Sequence, residues 1–326
     1  MPELPDVTVY IEHLARRTVG HPLEKIRLAS PFLLRTADPP IAAVYGREVR
    51  GVSRLGKRIV FTFATDTKKD EPLHLVIHLM IAGRFRWKAS ASPVPGKVGL
   101  AAFDFGAATG KLAKGAKDKE AGTLILTEAS SKKRASLHLV RGDAALTALA
   151  PDGLEVLDAT TKAFAERLRS ENHTLKRALT DPHLFSGIGN AYSDEILHHA
   201  RMSPVKLTSR MTDDEIATLH ASIREVIVNW TDLLRGRSGD FPEKVTAFQP
   251  EMAVHGKYGK PCPRCGKPVQ RIRYAANEMN YCPVCQTDGK LLADRSLSRL
   301  MRGDWPKTLE ALEVKKERAR GPSLLG

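Results

Sequence analysis

The most specific chemical pattern in the sequence is a group of four cysteines. They are the only cysteines among 326 residues and fall within 24 positions, as Cys262, Cys265, Cys282 and Cys285. Two residues separate the thiols of each pair, so a tight turn can aim both at one point, and two such turns complete the tetrahedral sulfur shell that Zn²⁺ prefers. Disulfides are the alternative, but they need an oxidising compartment, and we expect no secretion signal here. The spacing therefore predicts one structural zinc ion with no open coordination position.

A second candidate for chemistry is the start of the chain, Met1-Pro2-Glu3. We expect Met1 to be removed before the small residue Pro2, which exposes a secondary amine beside a carboxylic acid. A free α-amine titrates near about pH 8, so part of it is neutral and nucleophilic at working pH. Its attack on a sugar C1′ gives an iminium ion that can drive elimination of a 3′ phosphate. An ordinary proline at a helix start is the alternative.

A third candidate is the run Gly187-Ile188-Gly189-Asn190 ahead of an apolar, helix-like segment. Backbone N–H groups and the positive end of a helix dipole form an anion site in such a loop. A plain turn between two helices is the alternative interpretation.

Periodic patterns predict the elements that position these groups. Residues 5–20 read as a helix with one apolar face, and residues 22–148 as the strands of an antiparallel β domain. The strongest strand patterns fall at 57–63, 73–79, 101–105, 123–127 and 135–139, and Gly-, Ala-, Lys- and Ser-rich loops at 88–99 and 106–122. Beyond Pro151 the period becomes helical, over 160–180, 186–200 and 212–235, with Thr212 and Glu215 forming a capping box for the last helix.

The composition of the chain indicates which class of partner the protein binds. The formal net charge is +14, the pI is about 9.7 and 42% of residues are hydrophobic, which excludes a wholly disordered chain and favours a polyanionic partner. A merely soluble basic protein is the plainer alternative. No apolar run is long enough to span a membrane, so we expect a cytoplasmic protein with no membrane partner.

These patterns predict an α+β protein in four parts. Residues 1–150 form an antiparallel β-sandwich with a leading helix, residues 151–250 a helical domain, residues 251–286 a four-Cys zinc finger and residues 287–326 a basic tail. The tail carries Lys315, Lys316, Arg318 and Arg320 near its end. We expect a basic cleft between the β-sandwich and the helical domain.

Several remote segments resemble, in order, one family of enzymes. They are Met1-Pro-Glu-Leu-Pro-Asp, Gly56-Lys57, His78-Leu79 with Gly83, the stretch 176–195, and the four-Cys segment preceded by Val254-His-Gly-Lys. Over about residues 1–286 the sequence resembles the formamidopyrimidine-DNA glycosylase/endonuclease VIII family of base-excision repair. Leu4 is the residue type that resembles the formamidopyrimidine branch of this family rather than the endonuclease VIII branch. The helical domain is accordingly expected to be a helix–two-turn–helix element.

The resemblance implies roles for individual residues. Pro2 matches the N-terminal nucleophile and Glu3 the acid that assists it. Lys57 resembles a lysine of the active site that grips phosphates, and Lys176 and Asn190 resemble phosphate ligands of the helix–two-turn–helix element. Glu195 resembles an acidic residue near the family's active site, with a salt-bridge role as the alternative.

Three departures from the family pattern stand out. Where the family commonly has His-Leu-Gly-Met, this chain has His78-Leu79-Met80-Ile81, so Ile81 or Met80 is expected to fill the space left by an everted base. The family's Arg-Arg-Phe-Gly loop is missing, and Arg141 in the run 139–142 is its best counterpart. An arginine of the finger is replaced by Asn277, leaving Arg271, Arg273 or Lys267 to contact phosphate.

The implied activity is that of a bifunctional DNA glycosylase and AP lyase. It would remove oxidised bases and cleave the strand by β- and δ-elimination through a Schiff base on Pro2. The expected partner is double-stranded DNA with an oxidised base or an abasic site, bound by a monomer associated with a bacterial nucleoid. The alternative is a catalytically silent relative that only binds damaged DNA.

Overall fold

A computed structural model describes residues 1–67, 69–108, 120–149, 151–274, 277–293, 304 and 306–320, with backbone alone at 274, 277 and 316–320. The chain divides into two compact units. The first contains Met1–Asp152 and Ile227–Ala247, and the second contains Gly153–Val226 and the chain from Phe248 onward. The predicted boundaries near residues 150, 250 and 286 stay predictions.

The first unit is built on eight antiparallel strands. They are β1 (Pro22–Leu28), β2 (Arg47–Leu55), β3 (Arg58–Phe63), β4 (Leu73–His78), β5 (Gly83–Ala89), β6 (Gly99–Phe105), β7 (Gly122–Glu128) and β8 (Ser136–Arg141). Hydrogen bonds join them into one sheet in the order β5-β7-β6-β1-β2-β3-β4-β8. Apolar residues from both halves of this order form one buried cluster, in which the rings of Phe61 and Phe105 stack at 6.1 Å. The sheet therefore folds over on itself, and the predicted α+β fold with an antiparallel β-sandwich is confirmed.

Helix α1 (Leu4–Thr18) covers part of this cluster, because Val7, Tyr10 and Leu14 share its apolar face and are buried. It is followed after the sheet by the short helix α2 (Asp143–Thr147). Three short 3₁₀ turns occur at Pro31–Leu33, Ile41–Val44 and, in the second unit, Thr208–Arg210.

The helical segment begins with α3 (Thr161–Arg169), α4 (Leu175–Thr180), α5 (Asn190–His199) and α6 (Asp213–Arg237). The predicted helix 160–180 is wrong in one respect, since it consists of two helices. Thr160 and Thr174 each accept a hydrogen bond from the backbone three residues later, so each begins a separate helix. The predicted capping box of α6 is present, with Thr212 N–H donating to Glu215 at 3.0 Å and Glu215 N–H to Thr212 Oγ1 at 3.2 Å.

The finger consists of the antiparallel hairpin β9 (Gln270–Tyr274) and β10 (Asn277–Tyr281), followed by α7 (Pro283–Thr287). The tail after it begins against the hairpin, because Leu292 N–H donates to the Tyr281 hydroxyl at 2.8 Å. A further helix, α8 (Leu309–Arg320), follows. The side chains of Lys316, Arg318 and Arg320 lie outside what the structure describes. None of the helices in the described ranges has both the length and the apolar character needed to cross a membrane.

Candidate functional site

The predicted catalytic pair lies at the edge of the β unit, directly ahead of α1. Pro2 and Glu3 are both buried, and Glu3 is the N-cap residue of the helix. Its N–H donates to Asp6 Oδ2 at 2.9 Å. The first turn of α1 therefore fixes the backbone that carries the amine and the carboxyl group.

Charged groups of the same unit surround the chain start. Burial lowers the pKa of the N-terminal ammonium of Met1, the charges of Glu3 and Asp6 oppose this change, and those of Arg84 and Lys57 reinforce it. Lys57 follows Gly56, which adopts a positive φ of 61° in the turn between β2 and β3. The charge of Lys57 thus acts on the chain start, and the phosphate-binding role of Lys57 stays a prediction. The Met1 amine therefore loses its proton more readily than a free terminal amine.

Asp6 is an unusual neighbour for this amine. Burial raises the pKa of Asp6 to about 7, and the negative charge of Glu3 acts in the same direction, while the hydrogen bond from Glu3 N–H acts against it. The carboxyl group therefore takes up or releases a proton in the neutral range, beside the proposed nucleophile.

We expect Asp6→Asn to change how stability depends on pH. In the unfolded chain an aspartate ionises near about pH 4, whereas the folded protein holds this proton until about pH 7. The folded state binds more protons in between, so its stability falls by up to about 1.4 kcal/mol per pH unit as pH rises through this window. Asp6→Asn removes that fall. Urea unfolding between pH 4 and pH 8 measures it, with exposed Asp66→Asn as the control, and an unchanged slope in Asp6→Asn would contradict the prediction.

The turn after β4 contains the residues expected to fill the space left by an everted base. Met80 has a φ of +51°, a left-handed conformation that costs a residue with a side chain about 1 kcal/mol. Gly83 N–H closes the turn on the carbonyl of Leu79 at 2.8 Å, and a Cβ at Gly83 would lie only 2.2 Å from that oxygen. Ile81 is 60% exposed at the tip. The turn thus presents Ile81 as an apolar tip.

Arg84 holds this turn, and the sequence patterns did not reveal it. Its guanidinium donates to the carbonyl of Ile81 at 3.1 Å, to that of Gly83 at 2.6 Å and to that of Val245 at 2.5 Å. The last partner is 161 residues away in sequence, so no local pattern could indicate the contact.

Arg141 lies elsewhere on the sheet. It pairs with Leu73 at one end of β4, whereas the turn with Ile81 leaves the other end after His78. Five residues of extended strand separate the two ends by roughly 17 Å. The structure therefore does not bring Arg141 and Ile81 together, and a DNA-binding role of Arg141 stays a prediction.

In the second unit, the predicted phosphate ligands lie at the start of α5. Gly187 has a positive φ of 81°, Gly189 is the N-cap, and Asn190 is the first helical residue. The Asn190 amide donates to the carbonyl of Glu278 in β10 at 2.8 Å. Asn190, Lys176 and Glu278 help to line a cavity of about 590 Å³.

Lys176 is engaged within the protein. Its ammonium lies 2.5 Å from Asp194 Oδ1, 2.6 Å from the carbonyl of Asn190 and 2.8 Å from Ser193 Oγ, and its side chain is 12% exposed. Lys176 thus braces the first turn of α5 beneath Asn190. Direct contact with a phosphate would require it to exchange one of these acceptors.

The two acidic residues in the middle of α5 fasten the segment that precedes the finger. Glu195 accepts hydrogen bonds from the N–H groups of residues 253, 254 and 255, at 2.7–2.9 Å. Burial raises the pKa of Glu195, although these bonds oppose the change. Asp194 accepts from His255 Nδ1 at 2.8 Å and from Asn280 N–H at 3.1 Å. Glu195 therefore acts as an anchor for backbone N–H groups in this unit.

The four cysteines come together as predicted. Their sulfur atoms all lie within 4.8 Å of one another, with 3.9 Å between Cys262 and Cys285 and 3.4 Å between Cys265 and Cys282. A tetrahedral Zn²⁺ with Zn–S bonds of about 2.3 Å needs sulfur separations of about 3.8 Å. The group therefore fits one structural Zn²⁺ and fills all four coordination positions, which confirms the zinc prediction.

Contacts tie the first cysteine pair to the end of α5. His198 Nε2 lies 3.2 Å from Cys262 Sγ, and the Arg264 guanidinium donates to the carbonyl of His198 at 2.8 Å. One helix thus contacts the zinc ligands at its C-terminal end and presents Asn190 at its N-terminal end.

The candidate phosphate-binding residues of the finger form a small charged group. Arg271 lies over the ring of Tyr258 at 4.2 Å and 3.3 Å from a Glu278 oxygen, and Arg273 lies 3.5 Å from the same oxygen. Lys267 is exposed in the first cysteine turn. The side chain of Asn277 lies outside the described residues.

Three family models match the chain. They are the formamidopyrimidine-DNA glycosylase N-terminal domain over residues 1–116, the formamidopyrimidine-DNA glycosylase H2TH domain over 149–233, and the zinc finger found in FPG and IleRS over 259–287. The helices α3 to α6 fall almost entirely within the second match, and the four cysteines fall within the third.

Curated relatives extend over most of the chain. The formamidopyrimidine-DNA glycosylase of Deinococcus radiodurans is 30% identical over 308 residues, which are 91% of this chain and 100% of that protein. The one from Chloroflexus aggregans is 30% identical over 88% of this chain and 98% of its own length. Among solved structures, a complex of the Lactococcus lactis enzyme with DNA that contains an oxidised pyrimidine has a TM-score of 0.72 at 28% identity, covering 88% of this chain and 100% of that one.

These matches agree with the geometry. The β unit with its N-terminal proline, the helices around Asn190 and the four-Cys finger occur in the order of the matched family domains. The chain therefore belongs to the formamidopyrimidine-DNA glycosylase family.

Proposed function

We propose that this protein is a bifunctional DNA glycosylase and AP lyase of base-excision repair, with Pro2 as its nucleophile. The observation that carries the proposal is the buried chain start, where Pro2 and Glu3 are adjacent and burial, with the charges of Arg84 and Lys57, lowers the pKa of the Met1 amine that precedes them. Relatives named formamidopyrimidine-DNA glycosylase, and a solved complex of such a relative with DNA that contains an abasic site, support it.

The proposed reaction uses two described residues, Pro2 as the nucleophile and Glu3 as the acid. The damaged nucleotide leaves the base stack, at a cost of a few kcal/mol that is smaller for a poorly paired base. The Pro2 nitrogen forms a bond to C1′ as the bond from C1′ to the base breaks, and the nitrogen loses its proton. The bond from C1′ to the sugar ring oxygen then breaks, which opens the ring and leaves an iminium between Pro2 and C1′, while Glu3 supplies a proton to the ring oxygen or to the leaving base. The resulting iminium acidifies C2′, loss of that proton expels the 3′ phosphate, and δ-elimination then expels the 5′ phosphate. Hydrolysis of the remaining imine frees Pro2.

We further propose that Ile81 supports the vacated stack and that a single subunit acts, in the cytoplasm. An exposed apolar tip is the type of side chain that proteins insert beside kinked base steps. Asn190 and the arginines of the finger would contact the DNA backbone, with Lys176 bracing the helix that presents Asn190.

The main alternative is a relative that binds damaged DNA without cutting it. Incubation of the protein with duplexes that carry different oxidised bases, or an abasic site, separates the two. Release of base and strand cleavage with 3′ and 5′ phosphate ends would support the enzyme. Binding to the same duplexes without either product would establish the silent relative instead.

Lys57 is expected to contribute to phosphate binding. Lys57→Ala should lower the slope of log K against log [salt] by about 0.9, the value for one lost phosphate contact, and weaken binding of any duplex sequence. Titrations of labelled duplex at several salt concentrations measure the slope. Lys25→Ala, an exposed lysine of β1, is the matched control. If the slope of Lys57→Ala equals that of the parent, Lys57 does not bind a phosphate.

A further inference from the structure

Glu278 forms ion pairs with two arginines of the finger, Arg271 and Arg273, that are candidates for DNA contact. One of its carboxylate oxygens lies 3.3 Å from the Arg271 guanidinium and 3.5 Å from that of Arg273. The Glu278 and Arg271 side chains are each 31% exposed and that of Arg273 is 63% exposed, so solvent and a ligand can reach the group. One carboxylate thus partly neutralises two arginines at the surface.

Glu278 also binds the side-chain amide of Asn190, the first residue of α5. Its main-chain carbonyl accepts the hydrogen bond from Asn190 Nδ2 at 2.8 Å. Glu278 and Asn190 line one cavity, which also contains Lys176 and Arg177. Three donors assigned to phosphate by the proposed function therefore converge on a single acidic residue.

A carboxylate and a phosphate offer these donors the same kind of partner. Arginine forms its strongest hydrogen bonds with anionic oxygens of either group. A surface ion pair contributes only about 0–1 kcal/mol, so an incoming phosphate can displace it.

We propose that the Glu278 carboxylate occupies the place of a DNA phosphate and thereby lowers the affinity of the protein for duplex DNA. The inference rests on the proposed function, because it takes the finger and the start of α5 as the DNA-binding face. DNA must displace the carboxylate from Arg271 and Arg273 before these arginines contact the backbone. The cost falls equally on every duplex, so it lowers the affinity for damaged and for undamaged DNA by the same factor.

The test replaces the carboxylate alone. Glu278→Gln keeps the size of the side chain and the main-chain carbonyl that accepts from Asn190. We expect it to tighten binding of undamaged duplex about fivefold near 0.1 M salt and to steepen the salt dependence by about 0.9 or more, as at least one extra phosphate contact forms. Glu166→Gln, an exposed position of α3 with the same change of charge, controls for net charge and should give a smaller change.

The opposite result is equally informative. If Glu278 instead orients the arginines for DNA, Glu278→Gln weakens binding, and the inference is wrong. It is also wrong if the variant with its zinc retained binds like the parent or like Glu166→Gln.

A further pair of variants separates this inference from the proposed function. Arg273→Ala and Asn190→Ala should each weaken binding if this face contacts DNA. If neither does, this face does not contact DNA and the inference falls, while the proposed function is judged separately by base release and strand cleavage. If both do and Glu278→Gln still has no effect, the proposed function stands and the role of Glu278 alone is overturned.

Discussion

Borohydride should trap the parent protein on abasic-site DNA as a covalent adduct, and Pro2→Gly should weaken trapping by about a hundredfold or abolish it. Only an amine that has formed an imine with C1′ is fixed by the reductant, and a secondary amine gives the iminium directly. The burial of Pro2 and Glu3 at the chain start motivates the expectation. Gel separation of labelled DNA after reduction measures the adduct.

A protein that retains Met1 provides the matched control for this experiment. It differs from the parent only by Met1, which adds no side-chain charge but places a primary amine one residue before Pro2, so it should trap poorly. Equal trapping and cleavage by the parent, Pro2→Gly and the Met1-retaining form would place the nucleophile elsewhere.

The second large effect is expected at the zinc site. Cys282→Ser should remove the metal, because a closed four-sulfur site that loses one ligand binds Zn²⁺ far less tightly and the finger folds only with its metal. The contacts of Cys262 with His198 and of Arg264 with the end of α5 would be lost with it. We expect DNA affinity to fall on the order of a hundredfold, equal to about two or three lost hydrogen bonds.

Metal analysis and hydrogen exchange of the full chain check this prediction together. Zinc should be near one per chain in the parent and absent in Cys282→Ser, while peptides of β3 and β4 keep their protection because those strands share a different core. Freshly purified parent protein without zinc would contradict the account, as would a variant that lost the metal yet bound DNA normally.

Local patterns made part of this molecule predictable. The cysteine spacing fixes a tetrahedral site within 24 positions, and the pair Thr212 and Glu215 caps its helix within four residues. Alternating apolar residues predicted β3, β4 and β7, which are largely buried. The edge-to-edge order of the sheet was not predictable in this way, since β7 pairs with both β5 and β6 and β8 returns to pair with β4.

The residues that the sequence did not reveal make contacts over long separations. Arg84 reaches a carbonyl 161 positions away, and the Asn190 amide one that is 88 positions away. Lys176 is a further residue whose contacts the sequence did not reveal. Its resemblance to a phosphate ligand gave no sign of the buried Asp194 that holds its ammonium at 2.5 Å. Partners of this kind depend on the folded backbone, which no single segment of sequence specifies.

Mapping the covalent bond between protein and DNA would show whether Pro2 is the nucleophile. The parent protein would be trapped on abasic-site DNA with borohydride, digested and analysed by mass spectrometry. We predict that the sugar remnant is attached to the N-terminal peptide, on the nitrogen of Pro2. Attachment to a lysine side chain, such as that of Lys57, would contradict it.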